Sequence, residues 1–255
     1  MQRLPFEQQV FLLVQTLSLL GLAIRMWQSG LYRVYSYFFA YLLLALLQAG
    51  VLASVPFGSR QYVYAWMGTE GLITCTYVLV VLETYSLILR DLSGIATAAR
   101  RYIRIMVLAA VLISLLMIVL DRNPATIYGF FLTCYRIVLS ALLIIVLASL
   151  VFLVYYPIPL TRNVVFYSIG YSVYLLARAP ALLIANYSHF EWFRQLDAVF
   201  TGVPTACLLF WFFTLNRNGE AKTVVVGHHW KPEDEKRILS HLQAINDSLF
   251  RSARK

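Results

Sequence analysis

The chain has 255 residues, of which 60% are hydrophobic and only 13% charged, with a mean hydropathy of +0.71 and a formal net charge of +9. Soluble domains run near about 45–50% apolar and about 25% charged, so this composition excludes an ordinary soluble domain and places the chain among integral membrane proteins. The positive charge does not point to nucleic acid, because all four lysines lie at or after position 222 and most arginines flank apolar runs.

Seven apolar runs approach the roughly 20 residues that a spanning helix needs: about 8–27, 35–55, 62–89, 103–120, 125–155, 163–186 and 193–215. The first lacks a basic leader and an A-x-A-like cleavage site, so it reads as a helix rather than a signal peptide. The fifth is the longest and must tilt or project beyond a bilayer. Cys75, Cys134 and Cys207 sit in separate runs and read as small buried thiols, neither a disulfide nor a metal set. Trp27, Trp66, Trp192 and Trp211 fall near span ends, where interfacial tryptophans are expected.

Connections between the runs are short. In "DRNPAT", for example, Asn123 can cap and Pro124 can start the next helix. Basic residues in the connections set the orientation. One side holds Arg25, Arg33, Arg90, Arg100, Arg101, Arg104, Arg162 and eight residues of the tail, fifteen in all, against four on the other. The expected fold is therefore an all-α integral membrane protein: a seven-transmembrane-helix bundle over 1–216, N-terminus outside and C-terminus cytoplasmic, in a plasma or bacterial inner membrane. A linker over 217–231 and a short amphipathic helix over 232–255 follow.

Polar residues recur at helical spacing within four of the runs. Tyr167, Tyr171, Tyr174 and Arg178 share one face, as do Gly129, Thr133, Arg136 and Ser140; Glu70, Thr74 and Tyr77; and Asp197, Thr201 and Pro204. Arg136 and Arg178 lie about 16 and 12 Å below the outer span ends, at 1.5 Å per residue, the same half as Glu70 and Asp197. A guanidinium in hydrocarbon needs an interior position and a partner. One reading makes the four groups register-fixing ion pairs. The other, taken here, makes them the wall of an outward-facing polar cavity for a small anionic ligand, held by Arg178 and Arg136. Glu70 and Asp197 then set the charge balance, and Tyr171 and Tyr174 supply ring and hydroxyl contacts. Glu83 lies deeper, about 140° around the same helix from Glu70. With no arginine at its depth, it reads as a neutral acid and a candidate protonation site.

Several chemistries are absent. The seventh run holds no lysine for a retinal Schiff base, and His189, His228, His229 and His241 all fall outside the runs, which argues against intramembrane haem or zinc. No HExxH, G-x-S-x-G or phosphate loop is present, and no cofactor is expected. In the tail, Ile238, Leu242, Ile245 and Leu249 form a short apolar seam that suits a second copy of the chain, a cytoplasmic protein partner or the membrane surface. The plan is similar to seven-helix sensors and receptors in span number and orientation only. A non-enzymatic sensor is the leading reading; a proton-coupled carrier using Glu83 and a structural subunit of a membrane complex are the alternatives.

Overall fold

The computed structural model describes residues 6–56, 58–88, 127–155, 158–187 and 190–226. These form α1 (Phe6–Ser29), a 3-10 turn (Leu31–Arg33), α2 (Ser36–Ser54), α3 (Arg60–Ile88), α4 (Ile127–Tyr155), β1 (Ile158–Thr161), α5 (Arg162–Tyr187), α6 (Phe190–Thr214), α7 (Arg217–Ala221) and β2 (Thr223–Val226). The fold is nearly all helical. Six of the expected spans coincide with α1 to α6; the expected span over 103–120 and the tail helix lie outside the described residues. Val10–Ser29, Ser36–Ser54, Arg60–Ile88 and Ile127–Val151 are long and apolar enough to cross a membrane.

Among the described residues the six long helices close a ring: each of α1 to α5 packs on the next, α6 returns to α1, and α3 also touches α5 across the middle. The end where α1 and α6 finish is called proximal here, and the other end distal. The outside of the ring is apolar, and inside it buried polar groups lie among aliphatic and aromatic side chains. Leu13, Leu17, Leu47, Leu72, Ile144 and Phe213 are exposed, while Glu70, Glu83, Thr76, Thr84, Ser168 and Ser172 are buried. That distribution suits a hydrocarbon surround and is the reverse of a water-soluble bundle. Helix hydroxyls fit the same surround, because Thr16, Ser18, Thr69, Thr84, Ser168, Ser172 and Thr214 each donate to the carbonyl four residues back. Such a bond satisfies the hydroxyl without water.

The largest core side chains are aromatic. Tyr35, Phe38, Tyr77, Tyr167, Tyr171 and Trp211 are all fully buried. Trp211 stands edge-on to Phe38 at 4.9 Å and stacks on Tyr171 at 6.3 Å. The expectation of an interfacial tryptophan therefore fails for Trp211. Its indole lies under α5, where Gly170 gives it room: a Cβ at Gly170 would stand 2.5 Å from the indole nitrogen. Cys75 also departs from expectation, since its thiol is exposed on the outer face of α3, whereas Cys207 is buried.

The segment expected as a linker from 217 is folded as far as 226. β2 pairs antiparallel with β1 in the register Ile158↔Val226 to Thr161↔Thr223, and the Arg162 amide donates to the Lys222 carbonyl at 2.9 Å. Four residues of β-branched sequence are too short to stand out as a strand, and the partner strand lies far away in the chain.

The α5–α6 approach yields a direct test. Gly170→Ala should lower the thermal midpoint in detergent, with a cost of about 1–3 kcal/mol typical of overpacking. Gly50→Ala, where an added methyl meets nothing within 4 Å, should leave the midpoint unchanged or higher.

Candidate functional site

At the distal end, Glu70 of α3 is buried and surrounded by donors from three other helices. Arg178 of α5 reaches its Oε1 from Nη2 at 3.2 Å, and the Tyr135 hydroxyl of α4 reaches the same oxygen at 2.5 Å. Gln48 of α2 donates to Oε2 at 2.9 Å and to the Thr69 hydroxyl at 3.1 Å. The carboxylate is well satisfied. Arg178 is not: its Nε is buried without a partner among the described residues, and 35% of its side chain is exposed against 3% for Glu70. Nη2 is committed to Glu70, Nε is buried, and part of the side chain remains exposed.

The four expected stripes can now be placed. On α5 the spacing reads correctly, with Tyr167, Tyr171 and Tyr174 buried below Arg178. Tyr174 shares hydrogen bonds with the Tyr41 hydroxyl at 3.1 Å and the Tyr77 hydroxyl at 2.7 Å, and Tyr171 donates to the Tyr77 carbonyl at 3.4 Å. Both phenols are thus engaged inside the core. On α4 the deepest face is Tyr135, Leu139, Leu142 and Val146, one residue away from the polar stripe, so Thr133, Arg136 and Ser140 are only half-buried. Arg136 pairs with no carboxylate among the described residues. On α6, Pro204 is buried, while the side chains of Asp197 and Thr201 lie outside the described residues.

Glu83, at the proximal end of α3, faces the start of α2. Its Oε1 accepts from the Tyr37 amide at 2.9 Å and the Ser36 hydroxyl at 3.2 Å. Its Oε2 accepts from the Phe38 amide at 3.2 Å and the Tyr167 hydroxyl at 3.5 Å. Glu83 therefore caps a neighbouring helix, filling amides that α2 cannot satisfy itself. The partner missing from the sequence reading is a helix N-terminus, whose partial positive charge favours an anion.

A second proximal cluster holds the chain that leaves α6. Asn163, at the start of α5, donates to the Asn216 carbonyl at 2.7 Å and to Glu220 Oε1 at 2.9 Å. Tyr35 donates to the same Glu220 oxygen at 2.6 Å, and Asn216 caps α7 by accepting from the Gly219 amide at 2.7 Å. Burial, then the Glu220 hydrogen bond and charge, push the Tyr35 phenol well above its ordinary value, so it remains a donor. Gly219 is required, since a Cβ there would collide with Asn163 Oδ1.

Sequence reasoning missed Gln48, Tyr135, Asn163 and Glu220. Gln48 had a signal, as an isolated amide in the apolar run "YLLLALLQAGVLA". Tyr135 was hidden beside the more conspicuous Arg136. Compared with family models, curated proteins and solved structures, the chain matches none.

The Glu83 cap can be tested alone. Glu83→Gln should destabilise the fold by about 1–3 kcal/mol, the cost of leaving buried donors without acceptors. Amide exchange at Tyr37 and Phe38 should quicken, while Ser86→Ala on the exposed face of the same turn should change neither.

Proposed function

We propose that this chain is a seven-helix sensor of a plasma or bacterial inner membrane, N-terminus outside and C-terminus cytoplasmic. It binds a small anionic ligand at Arg178 and relays occupancy to a cytoplasmic partner through its tail. The observation that carries the reading is the half-engaged guanidinium: Nη2 on Glu70, Nε without a partner among the described residues, and over a third of the side chain exposed. A carboxylate or phosphate on a ligand would take the donors on the exposed part of the guanidinium. Glu70 remains the fixed counter-charge that keeps Arg178 in place when the site is empty, with Tyr135 and Gln48 holding Glu70. In this reading Arg136 and Asp197 would supply the remaining charges of the site, and Tyr171 and Tyr174 lie below Arg178 on α5.

The relay runs along α5. Arg178 lies toward the distal end of that helix and Asn163 at its proximal start, where it grips Asn216 and Glu220 on the segment leading to the tail. A shift of α5 that accompanies binding would loosen or tighten that grip, the kind of rigid-element movement that switches interfaces. The tail seam of Ile238, Leu242, Ile245 and Leu249 would then meet a second copy or a soluble partner.

Thermal unfolding of the detergent-purified chain against a panel of small carboxylates and phosphates tests the site. A ligand at 100 times its Kd should stabilise wild type by about 2.7 kcal/mol, and Arg178→Gln should abolish the shift. If no anion shifts wild type, the Arg178–Glu70 pair is a structural tie. Uptake of an identified ligand into sealed vesicles would replace the sensor by the carrier.

The relay has its own readout. Asn163→Ala should leave the ligand-induced stabilisation intact but speed protease cleavage beyond residue 222, with or without ligand. Cleavage that still responds fully to ligand in that variant would rule out the Asn163 grip as the transmitting contact.

A further inference from the structure

A cavity of about 400 Å³ opens at the proximal end, where α1 turns through Gly30 toward α2. It is remote from Arg178 and independent of the reading above. Trp27, Gln28, Tyr32, Arg33 and Arg217 line it, together with the small residues of the turn, and none of the lining residues is acidic. Tyr32 stacks on Trp27 with ring centroids 5.0 Å apart. Arg33 stands 5.6 Å over the Tyr32 ring and donates from Nε to the Tyr32 hydroxyl at 3.1 Å. This guanidinium is oriented by an aromatic shelf rather than by a carboxylate, so its charge is not offset within the cavity.

An apolar track leads to the same place. Leu13, Leu17, Leu20, Ile24 and Trp27 follow 4, 3, 4, 3 spacing on α1 and are 60, 59, 46, 48 and 62% exposed. The track runs about 21 Å along the helix, more than the roughly 15 Å depth of one leaflet's hydrocarbon. It ends at Trp27, the residue that begins the cavity wall.

We propose that this cavity is a phospholipid site, in which Arg33 and Arg217 hold the headgroup phosphate of an anionic lipid and an acyl chain lies along the α1 track. A free phosphate compound shares the headgroup chemistry but has no use for the track. The occupant is therefore a lipid. Arginine suits the role because its fork grips phosphate oxygens in pairs.

Native mass spectrometry of the full-length chain in neutral detergent tests this, with phosphatidylglycerol, phosphatidylcholine and inorganic phosphate as probes. Wild type should retain phosphatidylglycerol over phosphatidylcholine. The double variant Arg33→Gln/Arg217→Gln should bind phosphatidylglycerol about 30-fold more weakly, at about fivefold per arginine. Arg162→Gln/Lys222→Gln removes the same charge from the same end but outside the cavity. It should stay within about threefold of wild type, because exposed charges at a distance act through a screened field. Equal losses in the two double variants would reduce the site to general surface attraction and overturn the proposal. Equal retention of the two lipids, or displacement of the lipid by millimolar inorganic phosphate, would overturn it as well. Both arginines are exposed, so folding should survive. If the double variant does not fold, Arg217→Gln alone must show its fivefold step.

Discussion

Glu70 belongs to α3 and takes donors from α2, α4 and α5 at once, through Gln48, Tyr135 and Arg178. All three donors converge on one buried carboxylate, so the rotation of four helices is fixed together. Removing one partner would leave a buried charge or dipole unanswered, typically about 3–5 kcal/mol for a broken ion pair. The rest of the core follows from this lock. With α3 and α5 set in rotation, Tyr77 and Tyr174 meet hydroxyl to hydroxyl, Tyr41 joins them from α2, and Trp211 closes the stack from α6. Tyrosine serves here where leucine would not. Its ring fills volume and its hydroxyl finds a neighbour.

The two buried carboxylates of α3 solve the same electrostatic problem with different means. Glu70 uses a guanidinium from another helix. Glu83 uses the start of α2, where backbone amides and a serine hydroxyl converge on both oxygens. About 140° separates the two positions around the helix axis, yet both are buried, because α3 packs on α2, α4 and α5 rather than on one neighbour. A helix that packs on three neighbours has a wide inner face, and a single-stripe argument applied to it is incomplete.

That distinction explains what could be read from the sequence. Six helix positions were legible because twenty or so apolar residues leave few alternatives, and the α5 stripe was legible because Tyr167, Tyr171, Tyr174 and Arg178 contrast with Ile169, Val173 and Leu176 between them. The α4 stripe misled. Thr133 and Arg136 are polar and periodic, but burial follows size and packing, and Tyr135 with Leu139 wins the inner face. Asn163, Glu220 and the β1–β2 pair were illegible for a different reason. Each is defined by contacts between residues more than fifty positions apart, and no local period encodes those.

Like α3, α5 has a polar grip at both ends. Arg178 binds it to α3 distally, and Asn163 binds it proximally to the chain leaving α6. Between these points Gly170 brings its backbone against Trp211 so closely that no side chain fits. Close contact of this kind is stiff: a core packed at crystal-like density transmits displacement instead of absorbing it. In the proposed relay, a movement of α5 at one grip would appear at the other or be taken up by Trp211, whose rings meet Phe38 and Tyr171. The indole nitrogen of Trp211 is buried without a partner among the described residues. Among the described residues, shape rather than a hydrogen bond therefore opposes sliding of α5 past Trp211: with an added Cβ at Gly170 only 2.5 Å from the indole nitrogen, the two helices are keyed by van der Waals contact.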